Sequence, residues 1–272
     1  MSFKTENHRK LETFWARLQP HAWQRRSDWL FRGVDNAKHG LLPSALRNSS
    51  PTNEVLGEMS ERQSHAQQIR AERRALRHFY AYADAQGLPV SAGSLNRSGA
   101  VDRQGDEART ETAWPPEALF PLCALAQHYR VPTRMLDWSR KPLVAAYFAA
   151  STDGKGEKIA VWALRHRDGE RPLLDGFGVT VVSVPRFANT NLHLQSGKLT
   201  LHKYEGPTEK APGLEKVLRR SGEHELIKLT LPVKLRVDLL KRLADHFVHA
   251  ATIYSGYGGV ALAVRERVMY RS

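Results

Sequence analysis

At 272 residues, with 41% hydrophobic and 25% charged residues, the chain has room for one large domain or two small ones and is not composed like a disordered protein. No apolar run approaches the ~20 residues that span a bilayer, residues 1–10 lack the apolar core of a signal peptide, and the single Cys123 excludes an internal disulfide or a cysteine-based zinc site, so a cytoplasmic, non-membrane protein is expected. Lysine and arginine total 41 against 28 aspartate and glutamate, a net +13 that draws polyanions: nucleic acid or an acidic protein is the expected target, though a basic surface without a specific ligand explains the same charge.

Residues 9–19 place Leu11, Phe14, Trp15 and Leu18 at helical spacing, and Pro20 ends that helix. Trp29 to Val34 is a short apolar run with Gly33 near its end, which predicts a buried strand leaving into a loop. A turn-like element follows at Leu41 to Arg47, then a helical stretch from Asn53 to Gln86, closed by Gly87 and Pro89. Residues 91–112 are polar and rich in glycine and serine, which predicts a surface loop.

The pattern resumes with a helix over Leu119 to Tyr129, broken by Pro132, and a strand over Thr133 to Trp138. Ser139 is placed to cap a buried helix from Pro142 to Ser151. Strands are predicted at Ile159 to Leu164, Gly178 to Val184, Leu199 to His202 and Glu225 to Leu231, and a helix at Val233 to Phe247. Tyr254 to Gly259 reads as a glycine-rich turn before a last strand, Val260 to Val264. Helices concentrate in the first half and strands in the second. The expected fold class is therefore α+β, a helical N-terminal part packed on a mixed or antiparallel β core, in one domain over 1–272.

Two constellations carry chemistry. In Phe31-Arg32-Gly33 an arginine flanked by bulky apolar residues is costly unless paired. Its planar fork suits a carboxylate or a phosphate, and the glycine admits a ligand or another backbone. Arg32 is thus either an anion anchor or half of a structural salt bridge, with Asp137 as the candidate partner. The second constellation is Gln127-His128-Tyr129 through Asp137-Trp138-Ser139. It sets polar groups at a helix end and at a strand end beside the next helix N-terminus, where partial positive charge favours anions. A structural histidine at 128 and an ordinary helix-entry aspartate at 137 remain the competing readings. The histidines are too scattered to argue a metal site, and no phosphate-binding loop or dinucleotide fingerprint is present.

Trp29 to Gly33, Leu41 to Arg47 and the long run from Leu125 to Ala149 together resemble the FRG domain, over roughly residues 25–265. A more distant resemblance is to ADP-ribosyltransferases of the arginine-serine-glutamate type. In that comparison Arg32-Gly33 matches their first core strand, Asp137-Trp138-Ser139 the strand end that leads into a helix, and Ala146 to Ala149 that helix. Gln195 falls about where their catalytic glutamate belongs. The resemblance implies NAD as co-substrate. Catalytic roles would go to Arg32, His128, Ser139 and Gln195, and cofactor contacts to Phe31, Arg32, Gly33, Gln127, His128, Tyr129, Asp137, Trp138 and Ser139. The biological role would be a toxin or anti-phage effector that modifies nucleic acid or protein. A neutral glutamine cannot stabilise charge as a glutamate does, so Glu205, close in sequence, is the alternative source of a carboxylate. A non-catalytic nucleic-acid-binding or regulatory module is the competing function.

Overall fold

A computed structural model of the chain describes residues 3–90, 114–152, 156–166, 178–182, 197–221 and 225–270. The loop expected at 91–112 and Gln195 lie outside them. The described residues form an α+β fold around a seven-stranded sheet with the order β1-β7-β4-β2-β3-β6-β5. Its strands are β1 (Lys4–Asn7), β2 (Trp29–Val34), β3 (Met135–Ser139), β4 (Lys158–Arg165), β5 (Val179–Val182), β6 (Gly197–His202) and β7 (Leu226–Pro232). Only β1 and β7 run parallel; every other neighbouring pair is antiparallel.

Alternation along β2 explains how the centre of the sheet is built. Phe31 faces one side, where α1 (Leu11–Leu18), α5 (Pro142–Ser151), α7 (Arg236–Asp245) and α8 (Ala250–Ile253) bury the inward residues of β4 and β7. Leu30 faces the other side and joins Leu136, Trp138, Trp162 and Leu41 beneath α6 (Leu214–Ser221). A third cluster forms where α3 (His65–Ala85) and α4 (Phe120–His128) cover Met135, Leu199, Leu201 and Val182. Among the described residues no helix is long and apolar enough to cross a membrane.

Three expectations change. The helix foreseen from Asn53 to Gln86 is two helices, α2 (Ser50–Leu56) and α3. Gly57, at φ 93°, ends the first, and the Ser64–Gln67 capping box starts the second. The residue that caps α5 is Lys141, not Ser139; the Ser139 hydroxyl instead accepts from the Lys141 amide at 3.0 Å, which holds the approach to the helix. The expected last strand, Val260 to Val264, lies inside α9 (Gly256–Met269). Its anchor is Glu266, buried, which accepts from the Tyr147 hydroxyl at 2.5 Å and the Ala250 amide at 3.2 Å. That tie places one face of a helix against α8 and leaves Val260, Val264 and Val268 facing outward, so the apolar run is not a strand seeking a sheet edge.

Candidate functional site

The site begins where β2 and β3 part. Only Phe31 and Ser139 pair between these strands, so the ladder stops short of Asp137. A carbonyl left without its ladder partner needs another donor. Arg32 provides it: its Nη1 donates to the Asp137 carbonyl at 2.8 Å. The same nitrogen stands 3.9 Å from the Asp137 carboxylate, too far for a hydrogen bond, so the structural salt bridge considered from sequence is stretched. The Arg32 side chain is 19% exposed and that of Asp137 56%.

The gap opens into a cleft of about 530 Å³. Its arginines are Arg32, Arg47 and Arg130, its carboxylates Asp35 and Asp137, and its apolar wall Ala145, Phe148, Tyr254 and Leu262. Gln127 and His128 approach from the last turn of α4. There Arg130, at φ 67°, takes the left-handed conformation that usually goes to glycine, and the Val131 amide returns to the Ala126 carbonyl at 2.9 Å. A non-glycine residue held there costs roughly 1 kcal/mol, and here it turns Arg130 onto the cleft. Gln127 donates from Nε2 to Asp137 Oδ2 at 2.5 Å and accepts from the Thr133 hydroxyl, so one amide fixes the carboxylate to the helix end.

Burial lowers the Arg32 pKa and the nearby Asp137 partly offsets it. Burial also lowers that of Arg47, and the neighbouring charge of Arg32 pushes in the same direction, against Asp35. Two guanidiniums close enough to repel are drawn into one hollow, the arrangement that a shared anion would relieve. His128 is lowered by burial, with Asp137 opposing, which favours its neutral form.

The sequence-derived residues divide when they are placed. Arg32, Gly33, Gln127, His128, Asp137 and Ser139 line the cleft. Phe31 and Trp138 border it, but their rings are buried in the core: Phe31 lies edge-on to Trp23, and Trp138 donates to the Thr200 hydroxyl at 3.0 Å. Gly33 admits a backbone rather than a ligand, because a methyl group there would strike the Ala145 carbonyl and the Ala149 amide of α5. Tyr129 turns away into a second, more open hollow along α9, which shares His128, Tyr254 and Leu262 with the cleft. Glu205 lies near His65 and is not among the cleft residues. The cleft follows the flank of α5 past Ala145 and Phe148 to Thr152, towards the helix C-terminus. Attraction for an anion therefore rests on the arginines, not on the α5 N-terminus.

Sequence reasoning missed Arg47, Arg130, Asp35, Phe148 and Tyr254. Arg47 closes the turn-like Leu41 to Arg47 run and donates from Nε to the Leu42 carbonyl at 2.8 Å, so its place within a recognisable segment was the available signal. Tyr254 fell within the stretch read as a glycine-rich turn, and it reaches the cleft from the junction of α8 and α9. Among the described residues no three histidine, cysteine or acidic groups converge as a metal site. A family model, the FRG domain, matches residues 27–158, which takes in β2 and the whole run from α4 to the start of β4. Neither a curated protein nor a solved structure matches the chain.

Proposed function

The chain carries an FRG domain, and on that premise we propose that it is an NAD-using ADP-ribosyltransferase whose co-substrate lies in the cleft between β2, α4 and α5. The observation that carries this reading is the Arg32 fork, half-buried, with a carbonyl as its hydrogen-bond partner and a carboxylate only at 3.9 Å, beside the second guanidinium of Arg47. A pyrophosphate bridges two such groups, since planar forks bind its oxygens in pairs. The volume, about 530 Å³, falls in the usual range for small-molecule sites. Phe148 and Tyr254 offer ring faces for a nicotinamide or adenine beside His128. The order of elements that the distant resemblance requires is also present: an Arg-Gly strand, a strand ending at Ser139, helix α5 and then β4.

The +13 charge makes nucleic acid the first acceptor to try, ahead of an acidic protein. Calorimetry and thermal shift with NAD test the reading. The wild-type chain binds saturably and releases nicotinamide, Arg32→Ala weakens binding at least tenfold, and Arg32→Lys gives an intermediate loss. A wild-type chain that gives neither heat nor shift with NAD ends the proposal. Salt-dependent binding of nucleic acid with no nicotinamide release marks the non-catalytic module instead.

A further inference from the structure

The geometry points to Asp137 as the carboxylate that faces the reacting ribose and takes the acceptor's proton. The assignment rests on the transferase reading above. A reaction that breaks the bond between nicotinamide and ribose builds positive charge on the sugar, and a negative group aimed at that charge is the largest help a protein can give. Among the described residues two carboxylates line the cleft, Asp35 and Asp137.

Asp35 is occupied at the mouth. Its Oδ1 lies 3.5 Å from His39 Nδ1, and its charge bears on Arg47. Asp137 sits on β3 between the α4 end and the Arg32 fork. Gln127 Nε2 fixes one of its oxygens at 2.5 Å, and Thr133 in turn donates to the Gln127 carbonyl, so the amide cannot flip without losing both bonds. A carboxylate clamped on one oxygen, 3.9 Å from the anion-binding guanidinium and more than half exposed, is oriented yet open to substrate. Its exposure also lets it pass a proton on to water. A purely structural aspartate would be expected to close its pair with Arg32 at hydrogen-bond distance; this one leaves Arg32 to its own backbone carbonyl.

In the step assigned to it, the acceptor's oxygen or nitrogen forms a bond to ribose C1′. The bond from C1′ to the nicotinamide nitrogen breaks, and its electron pair neutralises the pyridinium, so nicotinamide leaves uncharged. The acceptor's proton passes to the Asp137 carboxylate and then to solvent. With water as acceptor the same step gives ADP-ribose.

The test compares Asp137→Asn, Asp137→Glu and the control Glu205→Gln in the full chain, with NAD as probe. Asp137→Asn keeps the shape and the Gln127 contact. It is expected to retain the wild-type melting temperature and NAD affinity within about threefold while nicotinamide release falls by about 10²–10⁴. Asp137→Glu recovers part of that loss, and Glu205→Gln matches the wild type. If the wild type binds and turns over NAD and Asp137→Asn keeps pace, this assignment is wrong and the transferase reading stands. If Asp137→Asn loses NAD affinity as steeply as turnover, Asp137 is a binding group and the assignment is equally wrong. A wild-type chain that neither binds NAD nor releases nicotinamide overturns the reading itself, and this step with it.

Discussion

Arg134, immediately before β3, and Arg32, on the neighbouring β2, meet opposite environments. Arg134 is 2% exposed; its Nε donates to both oxygens of Glu72, at 2.8 and 2.9 Å, and its Nη1 to the Tyr204 carbonyl at 2.8 Å. Trp114 and Gln68 also donate to Glu72, at 2.9 and 2.6 Å, and Arg62 bonds Gln68 in turn. Arg32, by contrast, has a carbonyl and a distant carboxylate, and opens onto solvent. The first arrangement is a buried network that ties α3 to the start of β3 through a carboxylate, although Arg134 Nη2 is left without a hydrogen-bond partner among the described residues. The second is a charge left partly unmet at the edge of a cleft. Two residues of the same type in recognisable motifs thus separate into scaffold and site by what surrounds them.

Breaking the buried network should cost most. Glu72→Ala leaves the Arg134 charge buried without its carboxylate and takes the acceptor from the Trp114 ring nitrogen, a loss of about 3–5 kcal/mol, and urea unfolding should show a chain barely stable or insoluble. A variant as stable as the wild type would mean that the Glu72 carboxylate is not what holds the Arg134 charge in the core.

Next in size is a pH effect from the same region. His202, buried near Arg134 and Arg32, has its pKa pushed from 6.5 to about 3, first by burial and then by those two charges. The unfolded chain binds a proton near pH 6.5 that the folded one refuses until about pH 3, so stability is fully present above about 6.5 and falls as the pH drops through that window. The slope contributed by this group approaches ~1.4 kcal/mol per pH unit. Urea midpoints between pH 4 and 7 measure it. His202→Leu should flatten the dependence, and an unchanged slope would remove His202 as its source.

Gly33→Ala sharpens the contrast from the cleft side, because it strikes the α5 backbone and not a ligand. It should destabilise by about 1–3 kcal/mol in thermal unfolding. Loss of NAD binding at unchanged stability would mean that the glycine serves the ligand after all. Smallest is the effect of Arg32→Ala on stability, about 1 kcal/mol or less, because its bonds are few and its burial incomplete. A loss comparable to that of Glu72→Ala would place Arg32 in the scaffold.

Much of this was legible in the order of residues. The helix Pro142–Ser151 is apolar on nearly every side and could only be buried, and β2, β4 and β7 announced themselves as apolar runs between turn residues. β1 did not. Its four residues are largely exposed and polar, and they become a strand only by lying parallel to β7, more than two hundred positions away. The same distance problem hid half of the cleft. Gln127, His128, Asp137 and Ser139 are close in sequence and could be read as a group, whereas Arg47 and Tyr254 arrive on separate elements.

By itself the sequence determined the α+β class, the buried helix behind the site and the residue types that could meet an anion, because periodicity, turn chemistry and side-chain charge are local properties. Only the tertiary structure decided which arginine is consumed by the core and which is left facing a cleft, and whether the apolar run after Gly259 is a strand or a helix. Those outcomes depend on partners far along the chain: Glu72 for Arg134, the interrupted ladder between Phe31 and Asp137 for Arg32, and Tyr147 for Glu266. The free energy of a charge is set by its neighbours, and neighbours are not a property of sequence order.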